Sequence, residues 1–240
     1  MEYIGPDLSA GPLPAVFYFA LSAKDSLFTA PFNQPAQALL QYKLRVFSLT
    51  LPGHHLPPND ALPFWAAEVA AGRDPLADFL KTAADTISGL LDRHIIIPNA
   101  FGVMGLSRGA FIAAHVAALF PTVKAVLGFA PLTRLDYASE FQDLHNHPIV
   151  QKSSLDHLVP ALYNRHIRLY IGNHDMRVGT DHSFAWMKKL ADAAWDHRIR
   201  SSPIELLIGS SLGYQGHGTS EEVFTSGAEW LGKTLGASHA

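Results

Sequence analysis

Cysteine is absent from the 240 residues, which excludes disulfide frameworks, thiol nucleophiles and thiolate metal sites together. Charge is sparse: Asp, Glu, Lys and Arg make up 16% of the chain, with a formal net charge of −3. So small a balance gives no electrostatic reason to expect nucleic acid or an anionic membrane as a partner. Long apolar runs are missing too, since the stretch from Pro12 to Ala23 is too short to span a bilayer and holds two prolines. The first residues, Met1-Glu2-Tyr3-Ile4-Gly5-Pro6-Asp7, lack the positive region of a secretory signal. A cytoplasmic location is therefore expected. No linker, repeat or low-complexity tract divides residues 1–240, which are expected to form a single domain.

What is present is a regular alternation of apolar runs and amphipathic stretches. Hydrophobic residues account for 48% of the chain, enough for one large α/β domain with a substantial core. Ala15 to Ala20 is the first continuous apolar run, suited to a strand covered on both faces. Pro35 opens a candidate helix through Leu39-Leu40, and Leu44 to Leu49 reads as the next strand. Asp74-Pro75 offers an N-cap followed by a first-turn proline. Behind it Leu76, Phe79, Leu80, Ala83, Ile87, Leu90 and Leu91 share one helical face. Asn99 to Met104, Val123 to Phe129, Ile167 to Ile171 and Ile204 to Ile208 supply four more strands. Helices are expected at Ala110–Phe120, Ser183–Trp195 and Ser220–Leu235. About six strands joined by helices of this length predict a mainly parallel sheet with right-handed crossovers and helices on both faces.

The most informative segment is Gly105-Leu106-Ser107-Arg108-Gly109, which fits the G-x-S-x-G nucleophile elbow. An apolar strand leads in and a small-residue helix leads out, as that motif requires. Ser107 is expected in a strained turn with its hydroxyl exposed at the sheet edge. Gly105 and Gly109 leave room for the helix start to pass close to the strand end.

In sheets of this kind the site lies at the carboxyl ends of the strands. Ser107 follows one strand directly, the loop after Ile167–Ile171 carries Asp175, and the loop after Ile204–Ile208 carries His217. A nucleophile, an acid and a base thus fall on one edge in the order Ser, Asp, His. Serine needs a base because its hydroxyl stays protonated at neutral pH, and histidine titrates in the useful range. Aspartate would fix the imidazole tautomer and stabilise the cation formed during attack.

With those residues in place the chain resembles the α/β-hydrolases along nearly its whole length. More narrowly, Gly172-Asn173-His174-Asp175-Met176-Arg177-Val178-Gly179-Thr180 and Gly216-His217-Gly218-Thr219 look like single-domain esterases of the dienelactone-hydrolase and prolyl-oligopeptidase-like branch. The resemblance implies Ser107 as nucleophile, Asp175 as acid and His217 as general base. It also implies an oxyanion hole of two backbone N–H groups, one from Arg108 and one near Leu21 or Ser22. In that second loop this chain reads Phe19-Ala20-Leu21-Ser22-Ala23-Lys24, where the family usually has a His-Gly or Gly-rich sequence. About fourteen residues precede the first apolar run, so the family's leading strand pair is expected to be missing.

The expected activity is cleavage of a small-molecule carboxylic ester through an acyl-enzyme, with no metal or organic cofactor. Two alternatives stay open: an amide or short-peptide hydrolase with the same three residues, and a silent hydrolase fold that binds a ligand. Other residues carry competing readings. Asp175 also suits a turn or helix cap, and Asp181, the rival acid, looks like part of the following helix cap. Arg108 is expected in a structural salt bridge, with a substrate carboxylate as the alternative. His54-His55 lie on the same edge, as pocket residues or ordinary loop residues, while Tyr214, Phe64 and Trp65 are candidates for an aromatic wall. Among thirteen histidines the cluster His145-Asn146-His147 lacks partners at a recognised metal-ligand spacing. Gly227 to Thr234 matches the P-loop pattern literally but falls inside an expected helix near the end of the chain. Residues 132–165, mixing charges with apolar anchors, are expected either to form a small cap or to pack as one or two ordinary helices.

Overall fold

The computed structural model describes residues 1–239. Its strands are β1 (Glu2–Ile4), β2 (Leu13–Phe19), β3 (Arg45–Ser48), β4 (Ile96–Leu106), β5 (Val123–Phe129), β6 (His166–Gly172) and β7 (Ile204–Gly209). They form one sheet in the order β1-β3-β2-β4-β5-β6-β7. β1 runs antiparallel to β3, and every other pairing is parallel. The helices are α1 (Ala23–Phe28), α2 (Gln34–Ala38), α3 (Ala61–Ala70), α4 (Pro75–Asp92), α5 (Arg108–Leu119), α6 (Pro148–Lys152), α7 (Val159–Leu162), α8 (Thr180–Asp196) and α9 (Glu221–Leu235).

Alternation along the central strands divides the core into two layers. From β2, Phe17 and Phe19 face one side, where they join Phe101 and Val103 of β4, Trp65 of α3, Phe79 of α4 and Phe111 of α5. Val16 and Tyr18 face the other, with Met104, Leu127 and the α9 residues Phe224, Ala228, Leu231 and Leu235. Helix α5 runs against the middle of the sheet and is buried from Arg108 to Ala117, which explains its run of small residues. Helix α4 begins as its sequence requires: Asp74 Oδ1 accepts from Ala77 N at 3.1 Å, with Pro75 in the first turn.

Three features depart from the sequence reading. The short antiparallel β1 adds a seventh strand, so part of the leading pair expected to be missing is present. The segment that follows it is clamped by Arg45, whose side chain is fully buried and donates to four carbonyls: Pro6 O (2.9 Å), Asp7 O (2.6 Å), Gly11 O (3.0 Å) and Ile95 O (2.6 Å). Helix α3 was not foreseen; it buries Trp65 edge-on to Phe111 and Phe141 at 6.5 and 6.2 Å between centroids. Residues 132–165, in place of one or two ordinary helices, form a string of short 3₁₀ turns with α6 and α7, anchored by buried Leu135, Phe141, Val150 and Leu155, and Glu140 of this segment lines a pocket with Ser107. No helix among the described residues is long and apolar enough to cross a membrane.

Candidate active site

The turn between β4 and α5 holds Ser107 at φ 55°, ψ −119°, a conformation that costs a non-glycine residue strain. Neighbouring chain fixes it there. Ser107 N donates to Phe129 O at 2.7 Å, and Ser107 O accepts from Ala110 N at 3.0 Å and Leu132 N at 3.3 Å. The two glycines allow the crossing. A Cβ on Gly105 would meet the Gly109 backbone, and one on Gly109 would meet the Phe19 carbonyl, both well inside the 3.0 Å that real Cβ atoms respect.

The loops after β6 and β7 converge on this turn. His217 Nε2 lies 2.9 Å from Ser107 Oγ, and His217 Nδ1 lies 2.8 Å from Asp175 Oδ2. Asp175 is buried, at 4% exposure. Its other oxygen, Oδ1, accepts from Arg177 N at 2.9 Å and Val178 N at 3.1 Å. One Asp175 oxygen thus serves the turn and the other faces the imidazole. The His217 loop is tied to the Asp175 loop by Met176 N donating to Gln215 O at 2.9 Å, and closed on itself by Gly218 N donating to Leu212 O at 2.7 Å. Asp181 lies in the first turn of α8, away from these contacts.

Two expectations about neighbouring residues need correction. Leu21 does not offer a free oxyanion donor: its N–H donates to Ser26 Oγ at 2.9 Å, and that hydroxyl donates to Ser22 O at 2.7 Å. The fully buried Ser26, in α1, thus satisfies the turn after β2. Arg108 N stands at the first position of α5, where a helical N–H has no intrahelical acceptor. The Arg108 side chain, at 8% exposure, makes no ion pair among the described residues. Its Nη2 contacts His54 Nε2, and its Nη1 has no hydrogen-bond partner. Glu140, which lines the same pocket, is engaged elsewhere: its Oε1 accepts from Arg177 Nη2 at 2.6 Å, and its Oε2 from Ser139 Oγ at 3.0 Å.

His54, Arg108, Glu140 and Arg177 line a pocket of about 350 Å³ beside Ser107, together with Ala20, Leu21, Phe32, Asn59, Leu62, Leu106 and His217. Burial, with the Arg108 charge, pushes His54 down to about 4, so it is a neutral acceptor at pH 7. Burial lowers Arg108 to about 10, with Glu140 opposing and Arg177 adding to the effect; the guanidinium remains charged at neutral pH. Burial alone would raise the Glu140 carboxyl, but hydrogen bonds from Arg177 and its own backbone hold it below the usual value.

Of the aromatic candidates none lines this pocket. Trp65 is fully buried in the core, Tyr214 is 85% exposed, and Phe64 stacks edge-on to His55 in a different groove. Phe32, Asn59, Leu62, Glu140 and Arg177 were missed from the sequence. Asn59 and Leu62 follow β3 on the same edge as His54, and Arg177 is two residues from Asp175, so their positions along the chain held a usable signal. Glu140 had none beyond membership of residues 132–165. The histidine cluster has local roles: His147 Nδ1 caps α6 and His145 Nδ1 bonds Gln142 O at 3.0 Å. Gly227 to Thr234 lies inside α9.

No family model and no curated protein matches this sequence. Solved structures do. A cold-adapted esterase from an Arctic intertidal metagenomic library superposes with a TM-score of 0.66 at 16% identity, covering 97% of this chain and 87% of its own. The 2,6-dihydroxy-pseudo-oxynicotine hydrolase gives 0.67 at 17% identity, over 97% of this chain and 62% of that protein. Acylaminoacyl peptidase from Pyrococcus horikoshii gives 0.66 at 14% identity, over 98% and 38%. The chain thus spans little more than a third of the peptidase and under two thirds of the pseudo-oxynicotine hydrolase. Its fold is the α/β-hydrolase fold.

Proposed function

We propose that the protein is a serine hydrolase acting on small carboxylic esters. One observation carries the reading: a serine at positive φ on a strand-to-helix turn lies 2.9 Å from an imidazole nitrogen, whose other nitrogen lies 2.8 Å from a buried carboxylate. In the proposed cycle Ser107 Oγ attacks the carbonyl carbon while His217 Nε2 takes the hydroxyl proton. Asp175 Oδ2 accepts from Nδ1–H and stabilises the imidazolium. The tetrahedral oxyanion is held by the Arg108 N–H at the positive end of α5. Collapse expels the alkoxide, which receives the proton from His217, and water activated by the same imidazole then frees the acid.

The Leu21 N–H is committed to Ser26 Oγ, which leaves the Ser22 N–H as the other expected oxyanion donor; each such donor is typically worth ~10²–10³ in rate.

The test is intact-mass labelling with a fluorophosphonate, beside a Ser107→Ala variant, followed by turnover of an ester series. One adduct on the parent and none on S107A supports the reading. A folded parent that takes no adduct and turns over no ester refutes it.

A further inference from the structure

β7 ends one side of the sheet and pairs with β6 alone. Backbone polar groups alternate in direction along a strand. Pro203 O accepts from Ile167 N at 2.9 Å and Gly209 O from Asn173 N at 2.7 Å, so Glu205 and Leu207 between them also turn towards β6. The N–H and C=O groups of Ile204, Leu206 and Ile208 therefore point away from the sheet, with no strand beside them among the described residues. Such an edge is a template for another strand unless a charge, a proline or a bulge guards it. None of the three outward residues is charged or proline, and β7 runs beside β6 in unbroken register. Leu207 and Ile208 expose apolar side chains on this edge. Helix α8 packs on β6 and β7 and extends the patch. One side of α8 faces the middle of the sheet, where Lys189 pairs with Asp156 and His182 stacks on Tyr137. Phe184, Lys188, Ala191 and Trp195 recur at helical spacing on the other side, towards the free edge. Phe184 and Trp195 are 55% and 58% exposed.

We infer that β7 and α8 form the face on which two copies of this chain associate, strand edge to strand edge about a two-fold axis. An axis through Leu206 sets Ile204 of one copy opposite Ile208 of the other. All three outward residues then exchange N–H···O=C bonds in an antiparallel ladder. Helix α8 follows β6 and precedes β7, so it runs back from the carboxyl ends of the strands to the amino end of β7. The same axis crosses the two α8 helices antiparallel and lays Phe184 of each copy by Trp195 of the other. The two ends of α8 are complementary in charge. Asp181 is exposed in its first turn, and Arg198 and Arg200 are exposed just beyond its last. None of the three makes an ion pair among the described residues. The axis brings Asp181 of one copy to the arginines of the other. Lys188, close to the axis, is already neutralised by Asp192 of its own helix at 2.5 Å. Any strand could meet the free backbone groups; a second copy also matches the aromatic and charged residues at both ends of α8.

The association is independent of the hydrolase chemistry, and sedimentation velocity tests it. Between ~1 and ~100 μM, a range that brackets a micromolar Kd, the parent should pass from the mass of one chain to twice that mass. Ile208→Pro removes an N–H that points outward, so it costs no bond to β6 but blocks the ladder. That variant should sediment as a monomer throughout. Phe184→Glu changes an exposed helix position outside the sheet, which keeps the test decisive if I208P fails to fold. It should weaken Kd at least ~10-fold. Phe28→Glu is the control: Phe28 is exposed on α1, which packs by β1 and β3 at the opposite side of the sheet, and the dimer should be unchanged. A parent that stays monomeric at the highest concentration overturns the inference. So does a dimer that keeps the parent's Kd in F184E, or one that F28E weakens as much as F184E does.

Discussion

Gly109→Ala adds one methyl group and tests whether the close crossing of α5 over β2 sets the geometry of Ser107, the proposed nucleophile. The new Cβ would lie 2.6 Å from the Phe19 carbonyl carbon and closer still to its oxygen, where 3.0 Å is the practical limit. Both partners are backbone in the centre of the core, so no side chain can rotate away. The helix start and strand end must separate by about 1 Å, since a close-packed interior offers no slack. Overpacking of this kind costs about 1–3 kcal/mol, which for a chain of this length lowers Tm by roughly 2–12 °C. The movement falls on Ser107 and the Arg108 N–H, and a displacement near 1 Å at a reacting centre costs ~10²-fold in rate. The assay is the second-order rate of fluorophosphonate labelling, with thermal unfolding followed by circular dichroism. Gly89→Ala in α4 is the control, because a Cβ there meets only Arg93 Nη2, at 3.7 Å. That change should stabilise by about 0.4–1 kcal/mol through the unfolded state and leave labelling unchanged. Parental labelling and Tm in G109A would refute the argument.

Asp175→Asn keeps an acceptor for the Arg177 and Val178 N–H groups but sets an amide donor or the wrong lone pair against His217 Nδ1. The fold should survive while kcat drops by ~10³–10⁴, and a loss under tenfold in steady-state kinetics contradicts the assigned role. Arg45→Lys replaces a fork serving four fixed carbonyls with an ammonium that has three donors at one point, so urea unfolding should show a loss of roughly 2–4 kcal/mol; an unchanged midpoint would argue against the clamp. Stability should also fall on acidification. Burial pushes both His54 and His115 down from 6.5 to about 4, so between those values the unfolded chain binds more protons than the native one. The contribution is full above about pH 6.5 and is lost as pH drops towards 4, at about 2 kcal/mol per histidine by pH 5. Urea melts at pH 7.5 and 5 measure it, and His115→Gln should flatten the dependence; equal stability at both pH values in the parent refutes it.

Local pattern was enough for the elements that carry their own signals. The Asp74-Pro75 cap with its amphipathic face, the continuous apolar runs of β2, β4 and β5, and the strand-turn-helix around Ser107 each depend on residues near one another in sequence. The convergence of Asp175 and His217 followed from a topological rule, because parallel strands put successive loops on one edge. Helix α3 escaped notice because Trp65 and its neighbours read as an apolar stretch without a strong period, and their burial depends on Phe141, far along the chain. β1 escaped because three residues hold no periodicity; its place is set by antiparallel pairing with β3, more than forty residues away in sequence. The pairing of Glu140 with Arg177, and not with Arg108, was invisible for the same reason. Charge counting along the chain says nothing about which carboxylate reaches which guanidinium.

That pairing links parts of the site that the chain keeps far apart. Arg177 N–H holds Asp175 Oδ1, and the guanidinium of the same residue holds Glu140 and Ser139 in the segment that walls the pocket. The acid loop and the pocket wall are therefore joined through one residue. Substitution at Glu140 changes the charge of the pocket and also releases the Arg177 side chain, whose backbone helps fix Asp175. Arg108 makes the corresponding link on the Ser107 side, with its N–H at the start of α5 and its guanidinium against His54, which lines the same pocket. For the hydrolase proposed above, these contacts predict that selectivity and turnover change together. Variants made to alter the ester preferred will also shift kcat, in proportion to how far Arg177 moves when its carboxylate partner is lost.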